Sequence, residues 1–144
     1  MIKVLPLFLV SSLIVIVTFG QKNIKSDKVP SAVKSALLQK HSGAKNVTWE
    51  LEKGNYEANW GGKSKEDNSV VISPSGNIVE TMKAIPVSEL PQPVIGYIKQ
   101  HYKGSKITEA GKVTDAHGKI SYEAEVKKKD IIFDERGSFV KVED

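Results

Sequence analysis

Residues 29–79 and 90–140 of this chain can be laid over one another at a spacing of 61. Val29-Pro30 meets Leu90-Pro91, Val33 meets Val94, Leu37 meets Ile98, and Gln39 meets Gln100. Gly43 and Lys45 meet Gly104 and Lys106. Later, Val70-Val71-Ile72 meets Ile131-Ile132-Phe133, Gly76 meets Gly137, and Ile78-Val79 meets Phe139-Val140. Between these anchors Tyr56-Glu57-Ala58 returns as Tyr122-Glu123-Ala124 at a spacing of 66. The second unit therefore carries five extra residues before that strand, and the stretch Gly61 to Asn68 recovers them in the first. Self-similarity at this period limits the fold to two copies of one small supersecondary unit. A unit of ~60 residues buries a marginal core alone, so the two copies are expected to share structure.

Each unit reads as one helix followed by four strands. Val29, Ala32, Val33, Ala36 and Leu37 recur at helical spacing, and Leu90, Val94, Tyr97, Ile98 and Tyr102 do so again. The expected helices are Val29 to His41 and Leu90 to Tyr102, opened by Pro30 and Pro91 and stopped by Gly43 and Gly104. The period then drops to two: Val47, Trp49 and Leu51 alternate with Thr48, Glu50 and Glu52. Tyr56, Ala58 and Trp60 alternate with Glu57 and Asn59, and two more strands flank Ser73-Pro74-Ser75-Gly76. In the second unit strands are expected over Lys106 to Thr114, Ile120 to Lys127, Lys129 to Phe133 and Ser138 to Val142, with a turn at Asp134-Glu135-Arg136-Gly137. The expected fold is α+β: a tandem repeat of one helix plus a four-stranded antiparallel sheet. Two helices then lie on one face of about eight strands. The repeats span 29–85 and 86–144, joined at the proline-rich stretch Pro86 to Pro91.

The chain opens with Met1-Ile2-Lys3, an apolar run from Val4 to Val17 broken by Ser11 and Ser12, then Thr18-Phe19-Gly20. That is the layout of a secretory signal peptide, residues 1–20, cleaved after Gly20. The run is shorter than the ~20 residues a membrane span needs. Residues 21–28 read as a polar leader. The chain has no cysteine, which removes disulfides, Cys-ligated zinc, iron–sulfur clusters and thiol catalysis together. Lys and Arg exceed Asp and Glu by 21 to 17, but the lysines are scattered, so no nucleic-acid partner is expected. The address is the periplasm or the exterior.

The pattern Leu/Val-Pro-x-x-Val, a helix ending in Gly, a Tyr-Glu-Ala strand, and apolar-x-x-x-Gly-apolar resembles the PepSY-like family of exported bacterial proteins, also described as beta-lactamase-inhibitor-like. The likeness runs from about Val29 to Val142. It implies a tandem helix-plus-antiparallel-sheet fold outside the cytoplasm. The related inhibitors grip a target enzyme with the open face of the sheet, but no contact motif here carries a binding residue across.

No catalytic set emerges. His41, His101 and His117 show no i, i+4 pair, and there is no nucleophile elbow and no phosphate loop. Asp134 is expected to bond backbone N–H groups of its own turn. The expectation is a non-enzymatic binding module, an inhibitor or sensor of a protein or peptide, with no cofactor, no metal, and no membrane anchor after cleavage. Its oligomeric state is left open. The open sheet face should display Thr48, Glu50, Glu57 and Asn59, then Glu123 and Glu125, with Trp60 as an aromatic anchor at the rim. The alternative is a metal-binding or enzymatic envelope protein that uses Glu57, Glu123 and the histidines.

Overall fold

The computed structural model describes residues 22–143. The expected signal peptide, residues 1–20, and its cleavage site lie outside the described residues. The order is β1 (Lys22–Ile24), α1 (Ser31–Lys40), β2 (Thr48–Glu52), β3 (Asn55–Trp60), β4 (Asn68–Ile72), β5 (Ile78–Ala84), α2 (Gln92–His101), β6 (Glu109–Asp115), β7 (Ile120–Val126), β8 (Lys129–Asp134) and β9 (Phe139–Glu143). The nine strands form one antiparallel sheet in chain order. The order helix plus four strands thus occurs twice, α1 before β2–β5 and α2 before β6–β9.

The sheet has nine strands rather than about eight because part of the expected leader is ordered. Lys22–Ile24 pairs with β2, placing Ile24 opposite Trp49 and against the core around it. Backbone pairing with β2 and this one apolar side chain dock an otherwise polar stretch. Pro30 and Pro91 occupy the N-cap positions of the helices, one place before the first helical turn. Gly104 takes the left-handed stop at φ 75°, but Gly43 is not among the positive-φ residues. The first of β6's expected residues, Lys106 to Thr108, precede the strand.

Both helices sit on one face. Val33 and Leu37 of α1 bury against Trp49, Ala58, Val70 and Ile72. Val94 and Ile98 of α2 bury against Ala110, Ala124, Val126, Ile131 and Phe133. The alanine of each Tyr-Glu-Ala segment is fully buried in these clusters, where a small side chain lets the helix approach the strand. The turns repeat the scheme. A Cβ on Gly76 (φ 90°) would stand 3.0 Å from the Ala32 carbonyl oxygen, and one on Gly137 (φ 82°) would stand 3.1 Å from Pro93 and 3.3 Å from Pro91. Each glycine turn is therefore wedged against the start of the helix of its own half.

Bulges fall in equivalent places, between Val71 and Ile72 in the β4–β5 pair and between Ile132 and Phe133 in the β8–β9 pair. A bulge bends its strand and sharpens the twist. Across a flat sheet the seven steps from β2 to β9 would cover about 34 Å. Instead Glu52 and Glu143 line one cavity. The sheet is therefore strongly curled, with the helices on its convex side.

Candidate functional site

Strand register assigns every strand residue to a face. Thr48 lies opposite Asn59, and Glu50 opposite Glu57. The row continues from Asn59 through Ser69, Met82, Val113 and Ser121. Glu123 and Glu125 share the face of Ser121, two and four residues on. Thr48, Glu50, Glu57, Asn59, Glu123 and Glu125 are thus brought onto one surface, the concave one. Asn59 is not displayed there: at 7% exposure it is buried, as is Ser69 beside it at 4%, because the curl closes around the middle of the row.

Trp60 stands apart. It follows Asn59 by one residue and so points to the other side, where it packs against the α1 core and tilts over His41 with ring centroids 5.1 Å apart. It is not a rim anchor for the acidic face. His101 also belongs to the helix layer, stacked on Tyr97 at 4.0 Å. The sheet therefore separates both of these histidines from Glu57 and Glu123. Among the described residues no three His, Cys, Asp or Glu groups converge in a way that could hold a metal ion.

The same register brings further carboxylates onto this face, beyond the four expected there. Glu52, Glu80, Glu109, Asp115, Asp130, Asp134 and Glu143 share the concave side with Glu50, Glu57, Glu123 and Glu125. That places eleven acidic residues, of the 16 among the described residues, on one face. Lys141 is the lysine that β2–β9 turn toward it, and it is paired with Glu143. On the convex side Lys83 stands opposite Lys112, both exposed, between the two helices. The molecule is electrically two-faced.

Two cavities open on the acidic side. The first, of about 250 Å³, has Met82, Gly111 and Ala84 beneath Glu109, Glu123, Glu125 and Asp130, with Glu66 and Asp67 of the β3–β4 loop at its edge. The second, of about 390 Å³, runs from Glu52 and Asn55 past Glu80 and Glu123 to Lys141 and Glu143. Glu123 lines both. Burial, reinforced by the charges of Asp130, Glu80, Glu143 and Glu57, pushes its carboxyl up to about 7. Burial also raises Glu57, offset in part by the Ser69 hydroxyl that donates to it, and raises Glu50, Glu80, Glu109 and Asp130, each further raised by acidic neighbours. Such a surface carries more negative charge than its own lysine can balance, and gains by receiving a cation. The Thr108 hydroxyl donates to Glu125, fixing that carboxylate at the mouth of the first cavity.

Asp134 accepts the backbone N–H groups of Arg136 and Ser138 at 2.9 Å, as expected of its turn. Asp115 does the same for His117 at 2.8 Å and Lys119 at 2.9 Å, which holds its carboxyl below the usual range. Both are turn residues first.

The fold is shared with solved bacterial proteins. A periplasmic protein of Bacteroides eggerthii superposes with a TM-score of 0.68 at 18% identity, over 80% of this chain and 88% of that one. A DUF2874 family protein of Bacteroides uniformis gives 0.65 at 19% identity, over 78% and 87%. A BLIP-like protein of Bacteroides fragilis gives 0.59 at 17%, over 80% and 85%. The inhibitor-like side of the resemblance thus holds at the level of fold. No family model matches the chain, and no curated protein matches its sequence.

Proposed function

We propose that this chain is an exported, non-catalytic binding module built from two copies of a PepSY-like unit, and that its concave face receives a cationic segment of a protein or peptide. The observation that carries this is the convergence of eleven carboxylates on a curled face whose own strand lysine is already paired. The leader-like first twenty residues and the periplasmic and BLIP-like neighbours support export and a role as inhibitor or sensor. Charge recruits the partner and the two cavities seat its side chains, with apolar footing at Met82 and Ala84 in the first. The test is calorimetry of the mature protein with oligolysine, parent against Glu123→Lys with Glu125→Lys. Binding to the parent that the reversal abolishes supports the reading. Equal binding by a folded reversal variant, or none by the parent, ends it.

A further inference from the structure

The sheet has two edges, and they differ in kind. β1 presents three described residues, Lys22-Asn23-Ile24, followed by Lys25, and charge on and beside an edge strand protects it from other strands. β9 presents five, all outermost in the sheet, and no described strand pairs with its far side. Phe139, Val140 and Val142 are 43%, 53% and 41% exposed, so three of the six large apolar side chains exposed among the described residues stand on this one strand. A long apolar edge is an invitation to strand addition. The bulge sorts its side chains. Phe139 and Val142 lie on the helix side, Phe139 flat against Tyr97 at 5.0 Å and 4°, and Val140, Lys141 and Glu143 line the second cavity. An inward lysine ordinarily guards an edge, but Lys141 is held by Glu143.

A strand added here meets two chemistries at period two. Alternate residues would rest beside Phe139 and Val142. The others would project toward the cavity that Glu52, Glu80, Glu123 and Glu143 line. We propose that β9 is the docking edge for an extended segment of a partner protein in which cationic and apolar residues alternate, added to the sheet as a tenth strand. The inference rests on the concave face taking cations, and it supplies the place and the conformation.

The experiment uses the mature protein and three synthetic octapeptides: valine and lysine in alternation, the same residues in blocks of two, and the alternating peptide with every second amide N-methylated, made in both phases. Binding is read by calorimetry at low salt, and protection of the β9 amides by hydrogen exchange. The alternating peptide should bind and slow exchange along β9, and the blocked and at least one of the N-methylated peptides should bind roughly tenfold weaker or less. Phe139→Ser with Val142→Ser should erase that preference. If all peptides bind alike and β9 exchange is unchanged, the acidic face takes cations without strand addition; this inference falls and the proposed function stands. If none binds, both fall. If sedimentation shows a dimer that the Phe139→Ser, Val142→Ser variant dissolves, the edge belongs to a second copy and the inference is overturned.

Discussion

Glu123 bears the largest electrostatic load on the concave face. Its carboxyl is held near 7 against an ordinary 4.5, mainly by burial. In the unfolded chain it ionises near the ordinary value, so between roughly pH 4.5 and 7 the folded protein holds a proton that the unfolded chain has released. Stability must then fall as pH rises through that window, the reverse of a salt-bridged acid. Glu57, Glu80, Glu50 and Asp130 are raised in the same direction and add to the slope. Glu123→Gln removes the charge and keeps the shape. Urea unfolding should show the variant about 1 to 3 kcal/mol more stable than the parent near pH 8, with the two converging near pH 4.5. Parallel pH profiles for parent and variant would contradict the assignment. Alternation with Tyr56 and Tyr122 made the facing of Glu57 and Glu123 legible in the sequence. Their burial was not, because it comes from the curl of strands far away in the chain.

At the scale of elements, the repeated turn glycines tie helix to sheet. Gly76 and Gly137 combine positive φ with close approach to α1 and α2, to the Ala32 carbonyl in one half and to Pro91, Pro93 and Val94 in the other. Gly76→Val and Gly137→Val should each cost about 2 kcal/mol or more of unfolding free energy in urea titrations, from strained backbone and a displaced helix start together. Wild-type melting of both would show that neither turn supports its helix. Both helices and the strands from β2 to β9 were legible because a periodic apolar stripe and a turn signal coincide at each. β1 was not, since it carries a single apolar side chain, Ile24, among polar neighbours, and its pairing with β2 leaves no residue-type signal. The side taken by Trp60 followed from alternation with Asn59, and the adjacent Gly61-Gly62 is no signal of a rim. The stop expected at Gly43 is not left-handed, because glycine permits that conformation without requiring it.

The whole molecule segregates its charge while carrying a formal net charge of +4. Acidic side chains fill the concave face, and Lys83 and Lys112 meet on the convex one. The acidic parity was readable along each strand. The closing of the face on itself was not, since two bulges and accumulated twist leave no residue-type signature. On the proposed function, that closing couples binding to pH. Carboxyls raised by mutual repulsion and burial are brought down when a cation arrives, so binding must expel protons wherever those groups are partly protonated. Affinity for oligolysine should therefore fall on acidification from about pH 8 to pH 5, most steeply around the Glu123 value near 7. It should also fall as salt rises, because much of the face remains within reach of solvent. Calorimetry in buffers of different ionisation enthalpy counts the protons directly. Release near pH 6.5 that shrinks above about pH 8 is expected of the parent, and Glu123→Gln should release fewer. Proton uptake on binding, or affinity that rises on acidification, would mean that the cation seats somewhere other than this face.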